Sequence, residues 1–305
     1  MNTPAPLRKG DSVMLAATAR KVSPAEIQPA VSLFEQWGLN VVVPQDLFEQ
    51  SNQFAGTDQH RAELFQAGLD NPDIKAIIIC RGGYGTVRMV DKLNFSRFAA
   101  NPQWIVGFSD VTVLHSHIQR NFGIPTLHAT MPIDIPSTDN YQEYPSLVTL
   151  RNHLFGLPVE HQFLSPELFR AGTASAPVVG GNLSILYSLL GSNSDIDTRG
   201  KILMIEDLDE YLYHIDRMLQ ALRRSGKLEG LAGLVVGQMS DMHDNAVPFG
   251  ATAQEIIWDA VSAYSYPVAF NAPFGHVKTQ NCSLKLGAQA QFTVAANGTA
   301  TLLNS

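Results

Sequence analysis

The sequence predicts an α/β protein with two domains, and three observations carry that expectation. From 12 to 128, short apolar runs alternate with amphipathic stretches, the order expected of parallel strands joined by helical crossovers. The run 74–80 is almost continuously apolar, as a strand covered on both faces reads. At 305 residues the chain exceeds the size at which a single core stops growing, which favours two domains.

The segment 12–17 reads as the first strand. Over 24–38, Ile27, Val31, Phe34 and Trp37 recur at helical spacing and stop at Gly38; 39–43 then supplies a second strand and completes one βαβ unit. The pattern continues with a helix over 57–70, a strand over 74–80, a helix over 84–93 and a strand over 104–107. Over 111–122, Val111, Leu114 and Ile118 share one face and the helix stops at Gly123, with 124–128 as the next strand.

Between 131 and 177 the periodicity weakens. Pro132, Pro136, Pro145, Pro158, Pro166 and Pro177 interrupt it, as a linker or domain crossing would, and the boundary is expected between 170 and 171. Beyond it, 183–190 and 213–224 read as helices and 202–205 and 234–236 as strands. The tail 290–303 reads as β structure with an Asn297-Gly298 hairpin signal. The carboxyl-terminal domain is therefore expected to be a smaller, mixed α+β unit.

Composition narrows the function. Hydrophobic residues make up 45% of the chain and charged residues 16%, the balance of a well-packed globular enzyme. A formal net charge of −7 offers no basic field for nucleic acid or an anionic membrane surface, so a small molecule or peptide is the expected partner. No stretch has signal-peptide anatomy or the length of a membrane span, which points to the cytoplasm. Cys80 and Cys282 are far apart in sequence and are expected as free thiols.

The most informative stretch is 104–112, Trp-Ile-Val-Gly-Phe-Ser-Asp-Val-Thr, where a buried strand meets a helix through Ser109. A sharp turn there would present the hydroxyl at the strand's carboxyl end, Gly107 supplying the lack of bulk. The amide of Asp110 would be left free to face developing negative charge. Taken alone, the spacing favours Ser109 as a helix cap, since serine is a preferred capping residue. Val111 stands where the G-x-S-x-G pattern has its second glycine.

The stretch Arg81-Gly82-Gly83-Tyr84-Gly85 follows a strand and would let a ligand approach the backbone closely, although a plain tight turn is the stronger reading. It lacks the G-x-G-x-x-G spacing and the lysine of nucleotide-binding loops. A serine nucleophile needs a base. His115 and His117 lie six and eight helical positions on, roughly 9 to 12 Å along the axis, which is too far. His276 sits in a polar, glycine-containing loop, while His128 at a strand end reads as structural. Glu206 emerges after the apolar run 202–205, where it could orient an imidazole; Asp207, Asp209 and Glu210 are neighbours that could equally be solvated surface. No paired histidines at metal-ligand spacing and no C-x-x-C occur, so neither metal nor cofactor is expected.

Together, several ordered motifs resemble the LD-carboxypeptidase family, which includes the microcin C self-immunity proteins. They are Gly107-Phe108-Ser109-Asp110 with Thr112 and Leu114, the segment 81–85, Gly180-Gly181-Asn182-Leu183, Ile205-Glu206-Asp207 followed by 215–219, and Gly275-His276 with Asn281, Leu284, Leu286 and Gly287. The resemblance implies a flavodoxin-like amino-terminal domain carrying the serine and a smaller carboxyl-terminal domain carrying the acid and base. Residue by residue, it puts the nucleophile on Ser109, the acid on Glu206 and the base on His276, reversing the local preference for a cap. The oxyanion hole maps to the amides of Asp110 and Gly83. Lys285 stands where the family often has proline, and Ala129-Thr130 where glycine-proline is usual.

The implied activity is hydrolysis of the L,D-peptide bond between meso-diaminopimelate and the terminal D-alanine of a murein tetrapeptide during cell-wall recycling, by a homodimer. Arg81 or Lys278 is a candidate anchor for the peptide's free carboxylate. One alternative keeps the chemistry and takes a peptidyl or aminoacyl nucleotide, which an aromatic residue near the cleft would favour. The other is a non-catalytic protein that binds a small ligand, against which the retention of Ser109, Glu206 and His276 together speaks.

Overall fold

The computed structural model describes residues 3–277 and 279–304. Fourteen strands are found among them: β1 (Ser12–Ala16), β2 (Asn40–Val42), β3 (Ile74–Ile79), β4 (Trp104–Gly107), β5 (Thr126–His128), β6 (Val159–Leu164), β7 (Phe169–Arg170), β8 (Gly172–Asn182), β9 (Ile202–Leu208), β10 (Gly233–Ser240), β11 (Val268–Ala269), β12 (Leu284–Leu286), β13 (Gln289–Val294) and β14 (Thr299–Asn304). The helices are α1 (Pro24–Gln36), α2 (Asp58–Asp70), α3 (Ser96–Ala100), α4 (Thr112–Phe122), α5 (Pro145–Leu154), α6 (Leu183–Ser188), α7 (Leu212–Arg224) and α8 (Ala253–Val261).

The strands form two sheets. The first runs β12-β5-β4-β3-β1-β2 and is parallel except for β12, which lies antiparallel to β5. The second runs β6-β14-β13-β8-β9-β10-β11-β7, with β8, β9, β10 and β11 parallel at its centre and antiparallel strands on both sides. In β3 every residue but Lys75 is buried, and both faces of the first sheet carry a hydrophobic cluster. Such strands need apolar side chains on both sides, which is why the run reads as uniform rather than alternating. In α4 the buried face gathers Leu114, His115 and Ile118, and Gly123 ends it in the left-handed conformation that a glycine adopts without strain (φ 63°).

Two expectations need correction. The helix anticipated over 84–93 is a pair of 3₁₀ turns, Thr86–Arg88 and Val90–Lys92, because Gly85 enters with φ 148° and Met89 breaks the run at φ −117°. The supposed linker 131–177 is structured, holding α5, β6, β7 and the first half of β8. Two of its prolines open helical turns rather than interrupt them: Pro132 starts a 3₁₀ turn and Pro145 starts α5, where a missing amide hydrogen costs nothing. A cut between 170 and 171 accordingly runs through the second sheet. The strands β6 and β7 lie before it, and β12 after it returns to the first sheet.

The parallel strands of both sheets direct their carboxyl ends toward a common cleft, the usual place for a ligand in such folds. No helix of the described residues is long and apolar enough to cross a membrane. Cys80 and Cys282 are free and buried, and burial pushes both thiols up, Cys282 to about 11.

Candidate active site

The cleft encloses about 590 Å³. Ser109, His276, Arg81, Gly82 and Gly83 line it, joined by Arg20 and Phe108. Facing them are Asp134, Asn182, Asp207, Asp209 and Glu210.

Ser109 follows β4 and has φ 61°. A residue with a Cβ pays of order 1 kcal/mol for that left-handed conformation, so the turn is held by its surroundings rather than by local preference. Ser109 holds neither N-cap position: Phe108 precedes the 3₁₀ turn Ser109–Val111 and Val111 precedes α4, neither with a side-chain capping bond. Gly82 comes so close that a Cβ on it would stand 3.1 Å from both Cβ and Oγ of the serine. The carboxylate of Asp110 is buried and accepts the Thr86 amide at 2.9 Å, tying the serine turn to the glycine stretch. Burial raises the Asp110 pKa, a tendency that the bond from Thr86 opposes. Among the turn and loop hydrogen bonds of the described residues, neither the Asp110 nor the Gly83 amide is taken by a backbone carbonyl.

From the second sheet, β9 carries Glu206 into a fully buried position, where its Oε2 accepts a 2.8 Å hydrogen bond from His276 Nδ1. The approach depends on Gly275, since a Cβ there would meet Glu206 Cβ and Oε2 at 3.0 Å. The His276 ring packs against Phe108, centroid to centroid 4.7 Å. Burial pulls its pKa down, but the Glu206 hydrogen bond and the charges of Glu206, Asp207 and Asp134 together outweigh that, leaving it above the ordinary 6.5. The second oxygen of Glu206, Oε1, is buried with no hydrogen-bond partner among the described residues. A carboxylate so placed favours a positive charge on the ring it holds. No hydrogen bond joins Ser109 to His276 among the described residues; apo sites are commonly longer than their working geometry.

The other histidines separate cleanly. His115 gives its Nε2 proton to the Gly107 carbonyl at 2.9 Å and is pulled by burial to about 3. His117 pairs with Ser194 Oγ at 3.0 Å. His128 is buried, bonded to Asn281 Oδ1 at 3.2 Å, and lowered by desolvation to about 4.

Three features of the cleft have no role in the sequence reading. Asp207 is buried and held by Asn182 Nδ2 at 2.9 Å and the Ser184 amide at 2.8 Å, and burial together with the Glu206 charge lifts it to about 7. Asn182 also gives its amide to Thr112 Oγ1 at 3.0 Å, so a hydrogen-bonded chain runs from the serine-bearing helix to the strand of Glu206. The Gly180-Gly181-Asn182 motif was the available signal: a Cβ on Gly181 would fall 2.5 Å from Thr112 Oγ1. Arg20 is the third, and a lone arginine after a strand gives no signal. Arg81 is at the cleft but already engaged, 3.5 Å from Glu26 and 3.5 Å from the Lys21 carbonyl. Lys278 lies outside the described residues. Lys285 sits in β12 opposite Leu127, away from the cleft lining.

The chain matches the LD-carboxypeptidase N-terminal domain over residues 13–129 and the LD-carboxypeptidase C-terminal domain over 175–292. A Bacillus subtilis protein described as a probable murein peptide carboxypeptidase is 35% identical, the match covering 96% of this chain and 92% of the relative. The crystal structure of muramoyltetrapeptide carboxypeptidase from Oxalobacter formigenes is similar with a TM-score of 0.86 at 25% identity, covering 96% of this chain and 98% of that one. MccF in complex with glutamyl sulfamoyl guanosine shares the fold, with a TM-score of 0.85 at 19% identity over 99% of this chain and 98% of its own. With matches to both domains and likeness over nearly its whole length, the chain belongs to the LD-carboxypeptidase family.

Proposed function

We propose that the protein is a serine carboxypeptidase that cleaves the L,D-peptide bond between meso-diaminopimelate and the terminal D-alanine of murein tetrapeptide. The observation that carries this reading is one cleft lined by a backbone-strained serine from the first sheet and by a histidine from the second, bonded at 2.8 Å to a fully buried glutamate. A capping serine needs neither the strain nor the partners.

In this reading Glu206 holds Nδ1–H of His276 and leaves Nε2 to take the Ser109 proton as Oγ attacks the carbonyl. The amides of Asp110 and Gly83 receive the oxyanion. The imidazolium, favoured by Glu206, then protonates the departing D-alanine amine. A water deprotonated by His276 releases the tripeptide from the serine ester. The substrate is supported by the names of the B. subtilis and O. formigenes relatives and by the polarity of the cleft. Arg20 lines the cleft with the serine, and Asp134, Asp207, Asp209 and Glu210 line it too, suiting a peptide that carries both a free amine and free carboxylates. Nucleotide-linked substrates fit less well. The sole aromatic among the described lining residues is Phe108, and its ring is already against His276.

The test is release of free D-alanine from murein tetrapeptide, with EDTA present, by wild type and Ser109→Ala. Release that vanishes in the variant supports the reading. Hydrolysis of an aminoacyl sulfamoyl nucleoside instead would transfer the same chemistry to that substrate class, and inactivity on both would leave a binding protein.

A further inference from the structure

The two arginines of the cleft differ in a way that bears on why such an enzyme would remove one residue at a time. Arg81 is paired with Glu26 at 3.5 Å and bound to a backbone carbonyl. Arg20 lines the same wall, yet its guanidinium has no ion pair or hydrogen bond among the described residues.

Its position is nevertheless fixed. The Arg20 amide bonds to the Gly82 carbonyl at 3.4 Å, and the next amide, of Lys21, to the Gln53 carbonyl at 3.0 Å. The preceding loop is locked to the glycine stretch by Thr18 Oγ1 and Thr86 Oγ1, 2.8 Å apart, and the Thr18 carbonyl is held by the buried Arg61 at 3.0 Å. The side-chain stem lies over Gly83, so close that a Cβ there would stand 2.7 Å from Arg20 Cδ and 2.8 Å from Nε. The residue before, Gly82, is the one that touches Ser109. The arginine stem therefore lies against the glycine stretch that touches Ser109, in the same cleft as the serine hydroxyl. The carboxylate of a single leaving amino acid stands only one residue beyond the attacked carbonyl, so its anchor has to lie in the same cleft as the serine.

We infer that Arg20 is the anchor for the substrate's terminal carboxylate, and that this pairing restricts cleavage to the last residue of the chain. The inference rests on the peptidase reading above and assigns the anchor to Arg20 rather than to Arg81. The planar guanidinium matches a carboxylate with two parallel hydrogen bonds, whereas an amide or a continuing chain offers a neutral carbonyl and loses the charge-assisted pair.

The experiment compares murein tetrapeptide with the same peptide ending in D-alaninamide, using wild type, Arg20→Gln, Arg20→Lys and Arg81→Gln. Losing a charged pair of this kind corresponds to roughly 100-fold in kcat/KM, so wild type should prefer the acid by about that factor. In Arg20→Gln the acid-to-amide ratio should collapse to near one, Arg20→Lys should restore part of it, and Arg81→Gln should retain it. A ratio unchanged in Arg20→Gln, or one abolished by Arg81→Gln, would overturn the assignment. Failure of wild type to cleave either peptide would instead sink the peptidase reading, and this inference with it. Thermal melting curves guard against misfolding, which is not expected for an exposed side chain.

Discussion

The two walls of the cleft do their work by different physical means. The wall from the first sheet contributes shape: a serine at φ 61° with the glycine stretch packed against it. The second contributes charge, a glutamate sealed from water and a histidine whose pKa it raises. Shape made by backbone is tolerant of pH, while a carboxylate–imidazole pair answers to it. The same contrast appears between His276 and His128, both beside Phe108 at 4.7 and 5.7 Å. The first is held by a carboxylate and is raised; the second is fully buried, and desolvation, which its carboxamide partner only partly opposes, lowers it to about 4.

The sharpest way to break the comparison is Ser109→Gly. Activity should fall by at least ~10⁴-fold while stability rises by about 1 kcal/mol, because glycine relieves the left-handed backbone. A variant less stable than wild type would show that the turn is not strained. Next comes Glu206→Gln, expected to lower kcat/KM by roughly 10³- to 10⁴-fold, as loss of an orienting carboxylate does. The base must be neutral to accept a proton, so wild-type activity should fail as pH drops through a pKa above 6.5. Removing the charge that raises that pKa should move the acidic limb of the residual activity to lower pH. A limb that stays in place would detach Glu206 from His276.

Gly82→Ala tests the shape wall alone. Its new methyl must displace Ser109, for a loss of about 100-fold in kcat with the pH profile unchanged. Asn182→Ala removes a donor from buried Asp207 and should cost about 1–3 kcal/mol in denaturant unfolding. The smallest effect on pH dependence belongs to His128→Gln, which should leave the acidic limb where it is, since the wild-type ring is already neutral above pH 4. A limb displaced by that change would make His128 the working base.

How much of this was legible in the sequence follows from the same division. The serine, the glycine stretch and the strand before each lie within a few residues of one another, so local pattern exposes them, and only their purpose needed the family resemblance. Glu206 could be placed at a strand end, but its bond to His276 spans 70 positions and depends on how two sheets meet, which no window of sequence contains. The second sheet was underestimated because its antiparallel strands β6, β13 and β14 pair residues up to 145 apart, as in Val159 with Asn304, and the prolines between them suggested a linker. The 3₁₀ turns after Gly85 look like helix in the sequence because apolar spacing persists where the backbone does not. Arg20 was missed since an arginine becomes a site only through what it lacks, a partner.

The claim on which the rest depends is that the serine of one sheet and the glutamate–histidine pair of the other act as a single unit. Residues that act as one lose their effect together, so kcat/KM on murein tetrapeptide should be measured for Ser109→Ala, His276→Ala and the double variant. The account predicts losses of at least ~10⁴-fold in each single variant and no further loss in the double. Losses that multiply in the double variant, or a Ser109→Ala protein within tenfold of wild type, would contradict it.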